Sequence, residues 1–136
     1  MKTHHLFISH SWAYSDEYKN FVNLLNRRSY FRYANYSVPK DDPLHTSGTD
    51  KALYAAIKSK VRFCSVVMIL TGVYASRSKW IDKEIQIAQT EFHTPKPILA
   101  IQPWGRKRTS VKAKEAADEI VGWNTERIVA AIRRLA

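Results

Sequence analysis

Two side chains in one helical segment have the types and the spacing to form a chemical site. In SKWIDKEIQIA, residues 78–88, Trp80 and Glu84 are four residues apart and therefore lie on the same side of a helix. The indole is expected to desolvate the carboxylate partly, which tends to raise its pKa, while the cationic surroundings act in the opposite direction. The pair is therefore a candidate for a catalytic carboxylate and its neighbouring ring.

The same pattern also has a structural interpretation. Most glutamates at the edge of a helix are solvated or pair with a neighbouring lysine, here Lys79 or Lys83. A tryptophan near the start of a helix is more often a packing anchor than a surface for a ligand. On an ideal helix, Trp80 and Glu84 lie to one side of a core stripe predicted at Ile81, Ile85, Ala88 and Phe92. The local pattern alone favours structure over function.

Strands and helices alternate along the chain and must position this helix. The runs CSVVMILT and KPILAIQ are apolar at consecutive positions, which is typical of central parallel strands covered on both faces. A strand–helix alternation repeated about five times predicts a parallel sheet with helices on both sides. With 136 residues, the chain is expected to form a single domain, residues 1–136, of three-layer α/β/α architecture. For five such strands, the order considered is 2-1-3-4-5, one of the common orders of doubly wound sheets.

The predicted helices have recognisable ends and inward faces. The first follows Ser15 and is predicted to hold Arg27 and Arg28 in its last turn, where cations suit the helix dipole. The last is predicted to be capped by Asn124. A short helix is also predicted in SVKAKEAADE, residues 110–119. The inward-facing residues of the second and last helices are predicted to be Leu53, Ile57 and Val61, and Ile128, Val129, Ile132 and Leu135.

A sheet of this kind binds ligands beyond the carboxyl ends of its strands, where the strand order reverses. In the order 2-1-3-4-5, that point lies between the first and third strands. The segments that meet there contain hydroxyls and rings around one carboxylate. They are Ser9, His10, Ser11, Trp12, Asn35, Tyr36, Ser37, Tyr74, Trp80 and Glu84.

Several common occupants of such a site are excluded by the residues the sequence lacks. There is no GxGxxG or GxxxxGK[ST] motif, and four glycines are too few for a glycine-rich phosphate loop. A receiver domain would need carboxylates where the chain has Ser9 and Thr71. His4 and His5 are adjacent in a strand and point to opposite faces, so no metal site is predicted. ISHSWAYS lacks the glycines of a hydrolase nucleophile elbow.

Composition indicates a globular cytoplasmic protein with an anionic partner of some kind. The formal net charge is +10, which favours nucleic acid, a dinucleotide or an acidic surface without choosing among them. The sequence contains no membrane span or signal peptide, so no membrane partner is expected. Cys64 is the only cysteine and is expected to be buried and inert.

Five segments in order resemble the TIR-like proteins of bacterial Thoeris anti-phage defence. They are FISHSW after the first strand, NYSVP after the second, SKWIDKE in the third helix, QPWG after the fourth strand and VGWNT before the last helix. The similarity covers nearly the whole chain. It implies a flavodoxin-like fold and cleavage of the nicotinamide N-glycosidic bond of NAD, with release of a cyclic ADP-ribose-type signal that activates a separate effector protein.

The resemblance also implies roles for individual residues. The catalytic glutamate falls on Glu84 and its preceding tryptophan on Trp80, while Ser9, His10 and Ser11 fall on the loop beside the NAD pocket. Asn35 and Ser37 lead into the loop 38–46, which in this superfamily gates the pocket and mediates TIR–TIR self-assembly. Apart from Glu84, these residues are predicted to bind substrate.

NAD is thus expected as a substrate rather than a cofactor, and no metal is expected. The alternative is a TIR domain that serves only as a non-catalytic interaction or scaffold module. Nucleic-acid binding ranks below both, because the sequence presents no basic helix or aromatic platform.

Overall fold

The computed structural model describes residues 2–9, 16–36, 50–70, 78–102 and 115–136. The strands are β1 (Thr3–Ile8), β2 (Arg32–Asn35), β3 (Val66–Leu70), β4 (Ile98–Gln102) and β5 (Glu119–Gly122). The helices in this part of the chain are α1 (Asp16–Asn26), α2 (Asp50–Val61), α3 (Ser78–Thr90) and α4 (Thr125–Leu135). No helix among these residues is long and apolar enough to cross a membrane.

The five strands form one sheet in the order β2-β1-β3-β4-β5, and every neighbouring pair is parallel. This arrangement is the predicted flavodoxin-like α/β fold, and the predicted strand order is confirmed. The order reverses between β1 and β3, which are paired through Leu6 with Val66 and Ile8 with Met68.

The two faces of the sheet bury two separate apolar clusters. On one face, Leu6, Ile8 and Met68 pack against Phe21 of α1 and Ile132 of α4. On the other face, the alternate strand residues Phe7, Val67 and Ile69 pack against α2 and α3. The helices contribute Leu53 and Ile57 of α2 and Ile81 and Ile87 of α3 to this cluster. Because successive strand residues point to opposite faces, β1 contributes to both clusters. The consecutive apolar runs of the sequence are explained by this burial on both sides.

The predicted inward faces of α2 and α4 and the predicted cap of α4 are confirmed. Leu53, Ile57 and Val61 are buried on α2, and the side chain of Asn124 caps α4 by accepting a hydrogen bond from the backbone N–H of Arg127 at 3.0 Å. Leu135 is half-buried against the cluster on the α1 and α4 face.

The last turn of α1 does not contain the two arginines. The helix ends at Asn26, and the backbone N–H of Arg28 bonds to the carbonyl of Leu25 at 3.2 Å, which closes the helix by a tighter turn. The Arg28 guanidinium then reaches Glu126 of α4 at 3.1 Å. The short helix predicted at residues 110–119 is wrong at its end: Glu115 and Ala116 are helical, but Ala117 and Asp118 are not, and Glu119 begins β5. Residues 110–114 lie outside the described part.

Candidate functional site

Ser9 lies at the carboxyl end of β1, at the point where the strand order reverses. Its backbone N–H donates to the carbonyl of Met68 at 2.9 Å, which extends the pairing of β1 with β3 by one residue. Alternation along the strand places Ser9 on the same face as Phe7, which packs against α2 and α3. The hydroxyl is therefore directed at the helix layer that contains α3, and Ser9 is fully buried.

Glu84 is part of the buried face of α3, not of its edge. Ile81, Glu84, Ile87 and Ala88 are all buried, whereas Ile85 is half-exposed. The predicted core stripe is confirmed, since Ile81 and Ala88 are buried and Ile85 and Phe92 pack against the same cluster while partly exposed. The prediction that Glu84 lies beside the stripe is wrong, because the buried face extends to include Glu84. Positions 81, 84 and 88 follow the i, i+3, i+7 rule of one helical face equally well, and the packing against the sheet selects that face.

The two buried polar residues contact each other. The Ser9 hydroxyl donates to Oε1 of Glu84 at 2.6 Å, and both residues have no exposed surface. A hydrogen bond of this length from a hydroxyl to a carboxylate is typical of a charge-assisted bond. A buried carboxylate without hydrogen bonds strongly destabilises the folded state. The hydrogen bond from Ser9 therefore offsets part of the cost of burying Glu84. The bond links residues 75 positions apart and joins α3 to the end of β1.

A second polar contact lies on the same side of the sheet. His5 Nδ1 and the Tyr36 hydroxyl are 2.9 Å apart, and their rings are tilted at 47°. Tyr36 packs against the cluster shared by α2 and α3. Sequence reasoning included Tyr36 among the residues of this region but missed His5. The signal was present, because the period of two in β1 puts His5, Phe7 and Ser9 on one face.

The other predicted site residues are not brought to this pair within the described part of the chain. Asn35 is exposed and, by alternation, shares a sheet face with Tyr33, whose hydroxyl donates to Asn26 of α1 at 2.8 Å. That face is opposite to the one that buries Glu84. The backbone of Trp80 lies in the first turn of α3, while its side chain lies outside the described residues. Also outside them are His10, Ser11, Ser37, Trp12, Tyr74 and the loop 38–46.

The described residues contain no group of three or more histidine, cysteine, aspartate or glutamate side chains that could hold a metal ion. Cys64 is buried, its Sγ donates to the carbonyl of Lys60 at 3.3 Å, and burial raises the pKa of its thiol to about 12. The thiol is therefore protonated at neutral pH and is a poor nucleophile. Within the described part, Glu84 is the only buried carboxylate.

The all-parallel five-stranded sheet in the order 2-1-3-4-5, covered by helices on both faces, makes the protein a flavodoxin-like α/β protein. Its sequence matches the family described as "Thoeris protein ThsB, TIR-like domain" over residues 7–108, three quarters of the chain. The chain therefore belongs to the Thoeris TIR-like family, and a role in TIR-based defence follows from that membership. No curated protein sequence matches the chain significantly.

Proposed function

We propose that the protein cleaves the nicotinamide N-glycosidic bond of NAD in the cytoplasm and releases a cyclic ADP-ribose-type signal. The observation that carries the proposal is the buried carboxylate of Glu84, hydrogen-bonded to Ser9 beside the end of β1. In open α/β sheets, ligands bind outside the carboxyl ends of the strands at the reversal of strand order, which is the position of Ser9. Membership of the Thoeris TIR-like family supports the same conclusion.

The reaction needs one negative charge and no proton transfer to the leaving group. The bond between the anomeric carbon of the ribose and the pyridinium nitrogen breaks, and its electron pair goes to that nitrogen. Nicotinamide departs neutral, and the ribose is left as an oxocarbenium-like cation. An ionised Glu84 stabilises this developing positive charge and accepts hydrogen bonds from the ribose hydroxyls.

Ser9 acts on the carboxylate rather than on the sugar in this mechanism. The 2.6 Å hydrogen bond to Oε1 fixes the rotation of the Glu84 carboxyl group, so that no reorientation is needed when the charge develops. The surrounding core of Ile81, Ile87 and Phe7 keeps this side of the carboxylate dry and strengthens its electrostatic effect.

The fate of the cation determines the product. If water is excluded, an adenine nitrogen or a hydroxyl of the same ADP-ribose unit attacks the anomeric carbon and gives a cyclised product. An attacking hydroxyl releases its proton to solvent, and attack by an adenine nitrogen puts the positive charge on the adenine, which then releases a proton. In both cases the products are nicotinamide, a cyclic isomer of ADP-ribose and one proton. We propose that this diffusible nucleotide activates a separate effector protein. Self-assembly of TIR domains is the proposed means of control.

The decisive experiment compares Glu84→Gln with wild type and with a matched control, Glu91→Gln. Glu91 follows α3 and is partly buried, and its Oε2 accepts a hydrogen bond from the Tyr54 hydroxyl at 3.0 Å. We expect Glu84→Gln to lower nicotinamide release at least about a hundredfold, because the amide keeps the shape but not the charge. Glu91→Gln is expected to retain wild-type release. Nicotinamide and ADP-ribose isomers are measured by mass spectrometry of phage-infected cells that carry each variant.

Wild-type product formation by Glu84→Gln would refute the assigned role. Absence of nicotinamide from wild type, both in infected cells and in an assembled purified sample, would instead favour the scaffold module.

A further inference from the structure

The side chain of Tyr36 lies next to the candidate site but is directed away from it. Tyr36 directly follows β2, and its backbone N–H donates to the carbonyl of Leu6 at 2.9 Å. Because Leu6 pairs with Asn35, this bond places Tyr36 opposite Phe7, one residue further along both strands. Tyr36 packs against the same apolar cluster as Phe7 and therefore lies on the face of the sheet that carries Ser9.

The direction of the Tyr36 ring follows from its hydrogen bond. The hydroxyl lies 2.9 Å from Nδ1 of His5, and the two ring centroids are 5.5 Å apart. His5 precedes Phe7 by two residues, so the ring leans back toward the amino end of β1. Ser9 follows Phe7 by two residues, and in a strand both separations correspond to about 6.6 Å. The ring therefore reaches about as far from Phe7 as Ser9 does, but in the opposite direction.

A tyrosine at this position has two directions open to it. Side chains in strands lean along the strand, and two χ1 rotamers are common for them. In one direction the Tyr36 ring contacts His5, as observed. In the other, the same reach brings the ring to the carboxyl edge of the sheet beside Ser9. That edge is where a ligand of this fold binds.

The hydrogen bond to His5 selects between these directions. Tyr36 is only half-buried, so apolar packing alone holds its ring weakly. The contact is available to both forms of the imidazole, because Nδ1 either accepts from the hydroxyl or donates to its oxygen. The net contribution of such a bond corresponds to about a two- to twelvefold preference. The observed direction of the ring is favoured by a factor of this size.

We propose that His5 is a positioning residue that holds the Tyr36 ring clear of the place beside Ser9 where the nicotinamide ribose of NAD binds. The inference rests on the proposed function, since it takes NAD as the ligand of that edge. His5 lies four residues before Ser9 and acts only through Tyr36. When the hydrogen bond is lost, the ring occupies the carboxyl edge in a fraction of the molecules. Only the remaining molecules bind NAD, so the apparent Kd rises in proportion.

The test measures the Kd of the full chain for carba-NAD, an analogue whose bond to nicotinamide is not cleaved, by isothermal titration calorimetry. Tyr36→Phe and His5→Phe each remove the hydrogen bond and keep both rings, and the Kd is expected to rise about three- to tenfold. His5→Asn keeps a hydrogen-bonding atom near the position of Nδ1 and is expected to bind as wild type.

Tyr33→Phe is the matched control and is also expected to bind as wild type. It removes a tyrosine hydroxyl from the same strand but on the opposite face of the sheet, where that hydroxyl donates to Asn26 at 2.8 Å. Its effect on thermal unfolding measures what the loss of such a bond does to stability alone.

A shorter side chain separates the inference from a purely structural role of Tyr36. Tyr36→Val lacks the ring and cannot cover the carboxyl edge, so it is expected to bind carba-NAD at least as tightly as wild type. In the Tyr36→Val background, His5→Phe is expected to have no effect on the Kd. If Tyr36 only stabilised the end of β2, Tyr36→Val would bind more weakly than Tyr36→Phe. That result overturns the inference.

Failure of this inference is distinguishable from failure of the proposed function. Carba-NAD binding that Tyr36→Phe leaves unchanged overturns the inference, while Glu84→Gln still tests cleavage. Binding that Tyr36→Phe weakens, in a protein that releases no nicotinamide, supports the inference and refutes only cleavage. No binding of carba-NAD by wild type overturns the inference together with the NAD site on which it rests.

Discussion

Replacing Ser9 by alanine tests the contact on which the candidate site depends. The substitution removes a 2.6 Å hydrogen bond to Glu84 in a place where both residues are fully buried. A hydrogen bond to a charged group contributes about 1.5–3 kcal/mol. For a chain of this length, that loss corresponds to a fall in Tm of about 5–10 °C. We also expect kcat for nicotinamide release to fall about ten- to a hundredfold, because the carboxylate is no longer held in one orientation.

The assay pairs thermal unfolding with steady-state kinetics, and Ser65→Ala provides the matched control. Ser65 is a partly buried serine just before β3, where its backbone N–H donates to the carbonyl of His5 at 2.7 Å. Alanine keeps that bond, so Ser65→Ala is expected to keep wild-type kinetics. In the Glu84→Gln background, Ser9→Ala should remove only a neutral hydrogen bond, worth about 1 kcal/mol. A Ser9→Ala protein with kcat within twofold of wild type and an unchanged Tm would refute the reasoning.

Two further predictions concern buried titratable groups. Because burial raises the pKa of the Cys64 thiol to about 12, Cys64 should not react with a thiol-specific disulfide reagent at pH 8 until the protein unfolds; rapid labelling of the native protein would contradict this. Burial, helped by Lys2 and Arg133, lowers the pKa of His4 below its ordinary 6.5, so the unfolded state binds more protons as the pH falls through that value. Between about pH 7.5 and pH 5, the Tm of wild type should therefore fall more than that of His4→Phe. The variant keeps an aromatic ring at this position, where the centroids of His4 and Phe31 are 5.4 Å apart. Equal falls in Tm would contradict the prediction.

The parallel sheet and the helix faces could be predicted from the sequence because each rests on a repeating pattern, whereas the strand order came from the resemblance to the TIR-like proteins. Consecutive apolar residues such as Val66 to Leu70 indicate a strand buried on both faces, and the parallel alternation then restricts the topology to a few choices. Leu53, Ile57 and Val61 were identified on α2 for a similar reason, since residues four apart share a helix face.

The position of Glu84 could not be fixed in the same way. The sequence of α3 is compatible with two neighbouring faces, one through Ile85 and one through Glu84, and a polar residue is normally assigned to solvent. Only packing against the sheet distinguishes them. The His5–Tyr36 contact was missed for a related reason, because pairing between β1 and β2 depends on register, which a single sequence does not give.

Burying Glu84 lowers the stability of the fold. This cost is the reason to connect Glu84 with function. Its neighbours on the buried face of α3 are Ile81, Ile87 and Ala88, and an apolar side chain between them would contribute about 1.5–3 kcal/mol by burial. A carboxylate instead loses its hydration and needs hydrogen bonds to offset that loss. A helix that had only to pack against the sheet would gain nothing from such a residue.

Ser9 interrupts an apolar pattern in the same way. It follows three buried apolar residues of β1, and its place on the face of Phe7 would suit another apolar side chain. Ser9 and Glu84 are thus two independent polar exceptions to the apolar core pattern. They are 75 residues apart in the chain, and the Ser9 hydroxyl lies 2.6 Å from Oε1 of Glu84. Sites of catalysis are where proteins retain such departures from local consistency, because the chemistry requires a charge that the core would otherwise exclude. The contact between Ser9 and Glu84 therefore supports a chemical role more strongly than either residue does alone.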